Sequence, residues 1–102
     1  MKDEKAFIDT NLIVYLYSKN DAEKQKQVIA SISNYDCFIS TQVLRSSTVK
    51  KSLALNERYG YSYYDCLIIA SALESNCKYL FSEDMQHGQI IENTLKIVNP
   101  FA

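Results

Sequence analysis

Four short, continuous runs of apolar residues constrain the fold of this 102-residue chain more than any other feature. The apolar residues in these runs do not alternate with polar ones, which is typical of strands buried on both faces of a parallel sheet. We therefore predict four strands, at residues 5–9, 36–40, 78–82 and 95–99.

The segments between these runs carry apolar residues at helical spacing. Strands that alternate with helices favour βαβ units, in which helices cover both faces of the sheet, and the length suits one domain. We predict a single α/β domain over residues 1–102, with three α/β/α layers and a short parallel sheet of about four strands. The predicted helices are residues 21–34, 41–58, 62–75 and 85–94.

Composition narrows the classes of function. Eleven basic residues against twelve acidic ones leave a net charge of −1, so any nucleic-acid site must be local. The longest uncharged apolar run, residues 12–17, is far shorter than the roughly 20 residues of a membrane span, and the mixed-charge N-terminus is not a secretory signal. We predict a cytoplasmic protein with no membrane partner. Cys37, Cys66 and Cys77 form no C-x-x-C pair and are predicted to be small core residues.

Acidic residues stand at the ends of predicted strands and at the start of the clearest helix. Asp9 ends the first strand, Asp84 follows the third, and Asp65 lies near the start of the helix at residues 62–75. Sites in parallel α/β sheets form past the carboxyl ends of the strands, so we expect these three acids to converge. Each acid also has a structural explanation, because each could satisfy or complement the first turn of a helix.

Carboxylates that converge on one place repel one another, which an isolated carboxylate does not. Two of them about 4 Å apart repel by roughly 4 kcal/mol at an effective dielectric constant near 20, so the group needs shared protons or a bound cation. Oxygen ligands without His or Cys favour Mg²⁺ or Mn²⁺ over zinc. Carboxylate-held Mg²⁺ typically serves phosphate chemistry, because it polarises a phosphoryl oxygen and generates a hydroxide nucleophile.

Three motifs resemble PIN domains, and most of all bacterial toxins of the VapC type. They are F-I-D-T-N at residues 7–11, Y-S-Y-Y-D-C-L-I-I-A-S-A at residues 61–72 and S-E-D-M-Q-H-G-Q at residues 82–89. The resemblance implies a PIN-like fold and the toxin of a toxin–antitoxin pair. Such a protein is a ribonuclease that cleaves single-stranded RNA with water activated by Mg²⁺ or Mn²⁺, and it has an antitoxin-like protein partner.

The resemblance also assigns roles to individual residues. Asp9, Asp65 and Asp84 match the first, third and fourth acids of the family, which are catalytic and bind the metal. Polar residues beside Asp9 and Asp84 match positions that support the acids in the family, or are neighbours of such positions. The supporting residues are Thr10, Asn11, Ser82 and Glu83.

The middle of the chain departs from the family. Relatives continue with Asn-Glu-Phe after the motif S-T-Q-V-L, whereas here Ser46 stands where the second acid would be. The family's middle helices and edge strand are missing at a junction near residues 45–48. Glu57 and Glu83 are candidate substitutes for the lost acid. An uncovered strand edge and apolar face predict a homodimer or a swapped dimer, with residues 44–55 near the contact.

The missing acid leaves a second hypothesis open, in which a catalytically degenerate PIN fold binds RNA or a protein partner without cutting. A phosphatase-like enzyme with an Asp nucleophile is disfavoured, since Asp9 lacks a second Asp two residues on.

Other residues have competing interpretations, and for each of them the structural interpretation is favoured. The tyrosines between residues 59 and 64 could stack on RNA bases or pack against helices. The cations Lys50, Lys51 and Arg58 could contact phosphates or form a solvated helix face. His87 could act as a general base or belong to a turn.

Overall fold

The structure, a computed structural model, describes residues 4–16, 21–33, 35–39 and 46–102, with side chains for all of these except Thr10 and residues 36–39. Each predicted strand is present, with both ends within one residue of the prediction. The elements are β1 (Lys5–Ile8), α1 (Thr10–Leu16), α2 (Ala22–Ile32), β2 (Asp36–Ile39), α3 (Ser46–Tyr59), α4 (Tyr63–Glu74), β3 (Tyr79–Phe81), β4 (Ile90–Ile91) and β5 (Leu95–Val98).

The strands form one sheet with the order β2-β1-β3-β5-β4. β1 pairs in parallel with β2 and β3, β3 pairs in parallel with β5, and the short β4 pairs antiparallel with β5. The register sets Ile8 opposite both Ile39 and Phe81, and Phe81 opposite Val98. The four parallel strands therefore end along one edge, which we call the carboxyl edge, and the predicted parallel sheet is confirmed.

Alternate residues of the central strands face opposite helical layers. Phe7 and Leu80 belong to a core formed with α3 and α4. Ile8 and Phe81 belong to a second core formed with α1 and α2. The fold thus has the three α/β/α layers that the alternation of strands and helices predicted.

This alternation continues past the strand ends. The Asp9 backbone N–H donates to the Phe81 carbonyl at 2.9 Å, and the Ser82 N–H donates to the Val98 carbonyl at 3.0 Å, so the ladder extends by one residue. Side chains of a strand alternate between its faces. Asp9 and Ser82 therefore face the layer of α3 and α4, whereas Glu83 faces the layer of α1 and α2.

Helix α4 begins as its sequence predicts. Ser62 is the N-cap, and its hydroxyl oxygen accepts a hydrogen bond from the Asp65 backbone N–H at 3.2 Å, which is one half of a capping box. Ile69, Ala70 and Ala72 are buried to 0% exposure, so this helix lies close on the sheet. Because α4 leads into the amino end of β3, its first turn, with Asp65, lies at the carboxyl edge.

The helix predicted over residues 85–94 is wrong. Strand β4 and a turn to β5 occupy this stretch, with Glu92 and Asn93 at φ of 51° and 62°. Two successive residues with positive φ suit a tight hairpin, whose twist matches that of the flanking strands. Ile90 is exposed and Ile91 is buried, which is the alternation of a strand. Because both residues are apolar, the sequence does not show this alternation. Helix α1, which follows β1 directly, had no predicted bounds.

Two of the three cysteines are buried free thiols, Cys66 and Cys77, as predicted for core residues. Burial raises the pKa of the Cys66 thiol, and the charge of Asp65 raises it further. The side chain of Cys37 lies outside the described residues. Within the part of the chain that the structure describes, no helix has the length and apolar character needed to cross a membrane.

Candidate functional site

Asp9 is the buried centre of the site, with a side chain 1% exposed. The Asn11 backbone N–H donates to Asp9 Oδ1 at 3.2 Å. The Ser82 hydroxyl donates to Asp9 Oδ2 at 3.1 Å. Burial of a carboxylate is costly unless its oxygens are hydrogen-bonded, and both donors here are neutral groups. Neither of the ion pairs found among the described residues involves Asp9.

Asp84 is joined to Asp9 through the same two neighbours. The Asn11 side-chain amide donates to Asp84 Oδ2 at 3.1 Å, and the Asp84 backbone N–H donates to the Ser82 hydroxyl oxygen at 3.3 Å. Asn11 and Ser82 thus each contact both aspartates, and the four residues form a closed hydrogen-bonded ring. This ring fixes the end of β1 against the loop that follows β3.

Asp65, in the first turn of α4, is the third acid of this region. Burial raises the pKa of its carboxyl group above the ordinary value, a hydrogen bond with Ser62 opposes this, and the charges of Asp9 and Asp84 raise the pKa further. Both charges act on Asp65 because all three acids lie at the carboxyl edge. We call Asp9, Asp65 and Asp84 the aspartate cluster.

The donor set of the aspartate cluster suits a hard divalent cation, because carboxylate oxygens are the ligands that Mg²⁺ and Mn²⁺ prefer. Among the residues described by the structure, no three His, Cys, Asp or Glu side chains stand together in an arrangement that would already hold a metal ion. Asp9, Asp65 and Asp84 remain the candidate ligands predicted from the sequence, and Asp84 is exposed to solvent.

The predicted supporting residues divide into two groups. Asn11 and Ser82 steady Asp9 and Asp84 directly, whereas the side chain of Thr10 lies outside the described residues. Glu83 does not join the aspartate cluster as a substitute acid: its carboxylate accepts a hydrogen bond from the Tyr15 hydroxyl, 3.0 Å from Oε1.

Sequence reasoning missed Tyr15. The hydrogen bond to Glu83 raises the pKa of the Tyr15 hydroxyl. The sequence does contain a signal for Tyr15. It stands four residues after Asn11, and side chains four residues apart on a helix lie on the same side.

Helix α3 begins at Ser46, so this residue lies near the end of α4 that is opposite to Asp65. The next residue, Ser47, donates from its hydroxyl to Glu74 Oε2 at 3.0 Å, and the buried Thr48 hydroxyl donates to the same carboxylate. The start of α3 therefore meets the end of α4. Asp65 and Glu74 are nine residues apart on α4, or about 13 Å at 1.5 Å per residue.

The contacts of Arg58, Tyr59 and His87 are with residues outside the aspartate cluster. Glu57 lines an open groove on α3, where Arg58 forms an ion pair with Glu92 at 2.7 Å. The Tyr59 hydroxyl donates to Glu92 Oε2 at 3.1 Å. His87 Nδ1 accepts a hydrogen bond from a backbone N–H at 3.0 Å.

The tyrosines near Asp65 fall into two groups. The Tyr61 hydroxyl contacts Gln86 and Gln89, so this ring holds the loop before β4 in place. Tyr63 and Tyr64, by contrast, are exposed. The structural interpretation of Tyr59 and Tyr61 therefore agrees with their contacts.

Comparison with known proteins supports the fold. No protein-family model matches the chain, and no curated protein matches it. Among solved structures, a chain described as "Toxin-antitoxin complex from Klebsiella pneumoniae" is similar, with a TM-score of 0.58 and 15% sequence identity. The similarity covers 93% of this chain and 97% of that chain. At this identity the likeness establishes a shared fold.

Proposed function

We propose that this chain is a PIN-like, metal-dependent ribonuclease, the toxin of a toxin–antitoxin pair, that cleaves single-stranded RNA. The observation that carries the proposal is the aspartate cluster: Asp9 and Asp84 share two hydrogen-bonding neighbours, and both charges act on Asp65. The three motifs that resemble the VapC type contain these same acids. The solved structure with a shared fold is itself described as a toxin–antitoxin complex.

The roles of the acids follow from their surroundings. Asp9 is buried and held at both oxygens, so it is the fixed ligand. Asp65 is repelled by the other two acids, and a bound cation would relieve that repulsion. Asp84 is exposed and would be the ligand that is open to solvent. Bound Mg²⁺ or Mn²⁺ supplies a Lewis acid and a water of lowered pKa.

The remaining parts of the proposal concern partner and compartment. An antitoxin-like protein would bind and restrain this chain, by analogy with the pairing that the description of the similar structure reports. RNA as substrate agrees with the cytoplasmic location predicted from the sequence.

A metal titration of RNA cleavage tests the activity. We expect weak cleavage of single-stranded RNA that needs high Mn²⁺ or Mg²⁺, because Ser46 brings no second acid to the cluster, and even outer-shell losses cost about 10–100-fold. Asp9→Asn should abolish it. Glu23→Gln, an acid-to-amide change on the exposed surface of α2, is the matched control and should cleave like the wild type. Cleavage that survives Asp9→Asn would refute this site.

One observation favours a second candidate, the degenerate PIN fold that binds RNA or a protein partner without cutting. Asn11 and Ser82 already donate to Asp9 and Asp84, and such a hydrogen-bonded ring can persist without a cation. RNA binding by gel shift that is equal in wild type and Asp9→Asn, with no cleavage by either at any Mn²⁺ concentration, would favour this candidate.

We also propose that the chain is a homodimer that uses α3. Val49 and Leu53, one helical turn apart, are 39% and 51% exposed, and β2 is the outermost strand on its side in the described part of the sheet. We expect a dimer by light scattering at tens of micromolar. Leu53→Glu should yield monomers, whereas Lys50→Glu on the same helix should not. A monomeric wild type would contradict the proposal.

A further inference from the structure

Tyr15 lies on α1 outside the aspartate cluster, but it contacts the loop that contributes to the cluster. Its hydroxyl donates to the Glu83 carboxylate, at 3.0 Å from Oε1 and 3.3 Å from Oε2. Glu83 stands between Ser82 and Asp84 in the chain. We propose that Tyr15 is a positioning residue, which sets Ser82 and Asp84 in place by holding Glu83; its consequence for metal binding rests on the function proposed above.

Helix α1 holds this loop at two points. Asn11 and Tyr15 are four residues apart, so they project from the same side of the helix. The Asn11 side-chain amide donates to Asp84 Oδ2 at 3.1 Å, and Tyr15 holds the preceding residue. The two anchors are slightly more than one helical turn, roughly 6 Å, apart along α1. A loop held at one point can pivot about it, and the second contact removes that freedom.

The Tyr15 ring is itself packed in place. It meets Phe101 edge to face, with ring centroids 5.2 Å apart and planes at 76°. Lys24 Nζ lies 5.3 Å from the Tyr15 centroid and 5.2 Å from the Phe101 centroid, within the range of cation–π attraction. Since α2 and the C-terminal segment brace this ring, its hydroxyl presents a fixed anchor to Glu83.

The contact between Tyr15 and Glu83 affects the aspartate cluster through the backbone, because Glu83 is bonded to Ser82 and Asp84. Its carboxylate faces α1, on the opposite side of the sheet from Asp9, so Glu83 cannot serve as a ligand in this arrangement. A shift of Glu83 would move its neighbour Ser82, whose hydroxyl joins Asp9 Oδ2 to the Asp84 backbone N–H. Loss of the Tyr15 hydroxyl therefore loosens the hydrogen-bonded ring without removing any of its members.

Tyr15→Phe tests the proposal, because it removes the hydroxyl and keeps the ring. We expect the dissociation constant for Mn²⁺, measured by isothermal titration calorimetry, to rise about 10-fold, the lower end of the range for outer-shell partners. In the metal-free protein, the ¹H–¹⁵N resonances of Ser82 and Asp84 should shift. This second readout does not depend on metal binding.

Two substitutions at Glu83 separate a positioning role from a ligand role. Glu83→Gln keeps an oxygen that accepts the Tyr15 hydrogen bond, so Mn²⁺ affinity should stay within about twofold of the wild type. Glu83→Ala removes the acceptor and should match Tyr15→Phe in both readouts. A metal ligand would instead lose affinity in both variants, because both remove the negative charge; that pattern would overturn the positioning role.

Tyr59→Phe is the matched control, since the Tyr59 hydroxyl also donates to a carboxylate, Glu92, at 3.1 Å. It should leave Mn²⁺ affinity and both resonances unchanged. The proposal is overturned if Tyr15→Phe behaves like the wild type or if Tyr59→Phe has equal effects. Shifted Ser82 and Asp84 resonances in a protein that binds no Mn²⁺ would support the positioning role and refute the metal-dependent function.

Discussion

Saturating Mn²⁺ will raise the thermal midpoint of the wild-type chain by roughly 10–20 °C and will leave Asp9→Asn almost unchanged. A ligand at about 100 times its dissociation constant stabilises the folded state by about 2.7 kcal/mol when it binds that state alone. Each kcal/mol corresponds to roughly 4–8 °C in a domain of this size. Asp9 carries this effect because it is the buried acid that contacts both Asn11 and Ser82.

Thermal melts followed by circular dichroism, across a Mn²⁺ series, measure this shift. Glu23→Gln serves again as the control, since its carboxylate lies on the exposed surface of α2, and it should respond like the wild type. A rise of equal size in Asp9→Asn would locate the cation elsewhere on the protein. No rise in the wild type would remove the support for a metal site at the carboxyl edge.

Asp65→Asn is expected to have opposite effects on stability and activity. The pKa of Asp65 is raised from its ordinary value of 3.8 by burial and by Asp9 and Asp84. Between that value and the raised pKa, the folded chain binds more protons than the unfolded chain, so stability falls as pH rises through this window. At neutral pH the charged Asp65 therefore opposes folding, and a neutral Asn removes that effect.

We expect the metal-free Asp65→Asn variant to unfold at a higher urea concentration and at a higher temperature than the wild type at neutral pH. The gain should shrink as pH falls through this window, because Asp65 is protonated first in the folded state, and it should vanish below the ordinary pKa, where Asp65 is protonated in both states. Cleavage should fall by more than the roughly 10–100-fold typical of outer-shell losses, since a ligand is removed. Urea unfolding at several pH values and the RNA assay measure the two effects.

Glu23→Gln is the matched control for this stability gain. Glu23 lies in the first turn of α2, as Asp65 lies in the first turn of α4. An acid in that position ordinarily gains from the helix dipole, so its removal should cost a few tenths of a kcal/mol. If Asp65→Asn also loses stability, as Glu23→Gln does, Asp65 acts as an ordinary first-turn acid and the repulsion within the cluster is negligible.

The sequence by itself determined the parts of this protein that depend on neighbours along the chain. Continuous apolar runs specified the four parallel strands, because burial on both faces requires such runs. Asp9 and Ser82 were identifiable as candidate site residues, because each is a polar residue at the end of an apolar strand. The spacing of Ser62 and Asp65 specified the start of α4, since a cap forms between residues three apart.

Only the tertiary structure decided contacts between distant residues. Tyr15 and Glu83 are 68 positions apart, and their hydrogen bond depends on how α1 packs beside the loop after β3. The place of Ser46 at the far end of α4 depends on the packing of α3 against α4, which local pattern does not specify. A periodic pattern indicates which face of a helix or strand is buried. Which other helix or strand covers that face depends on the packing of the whole chain.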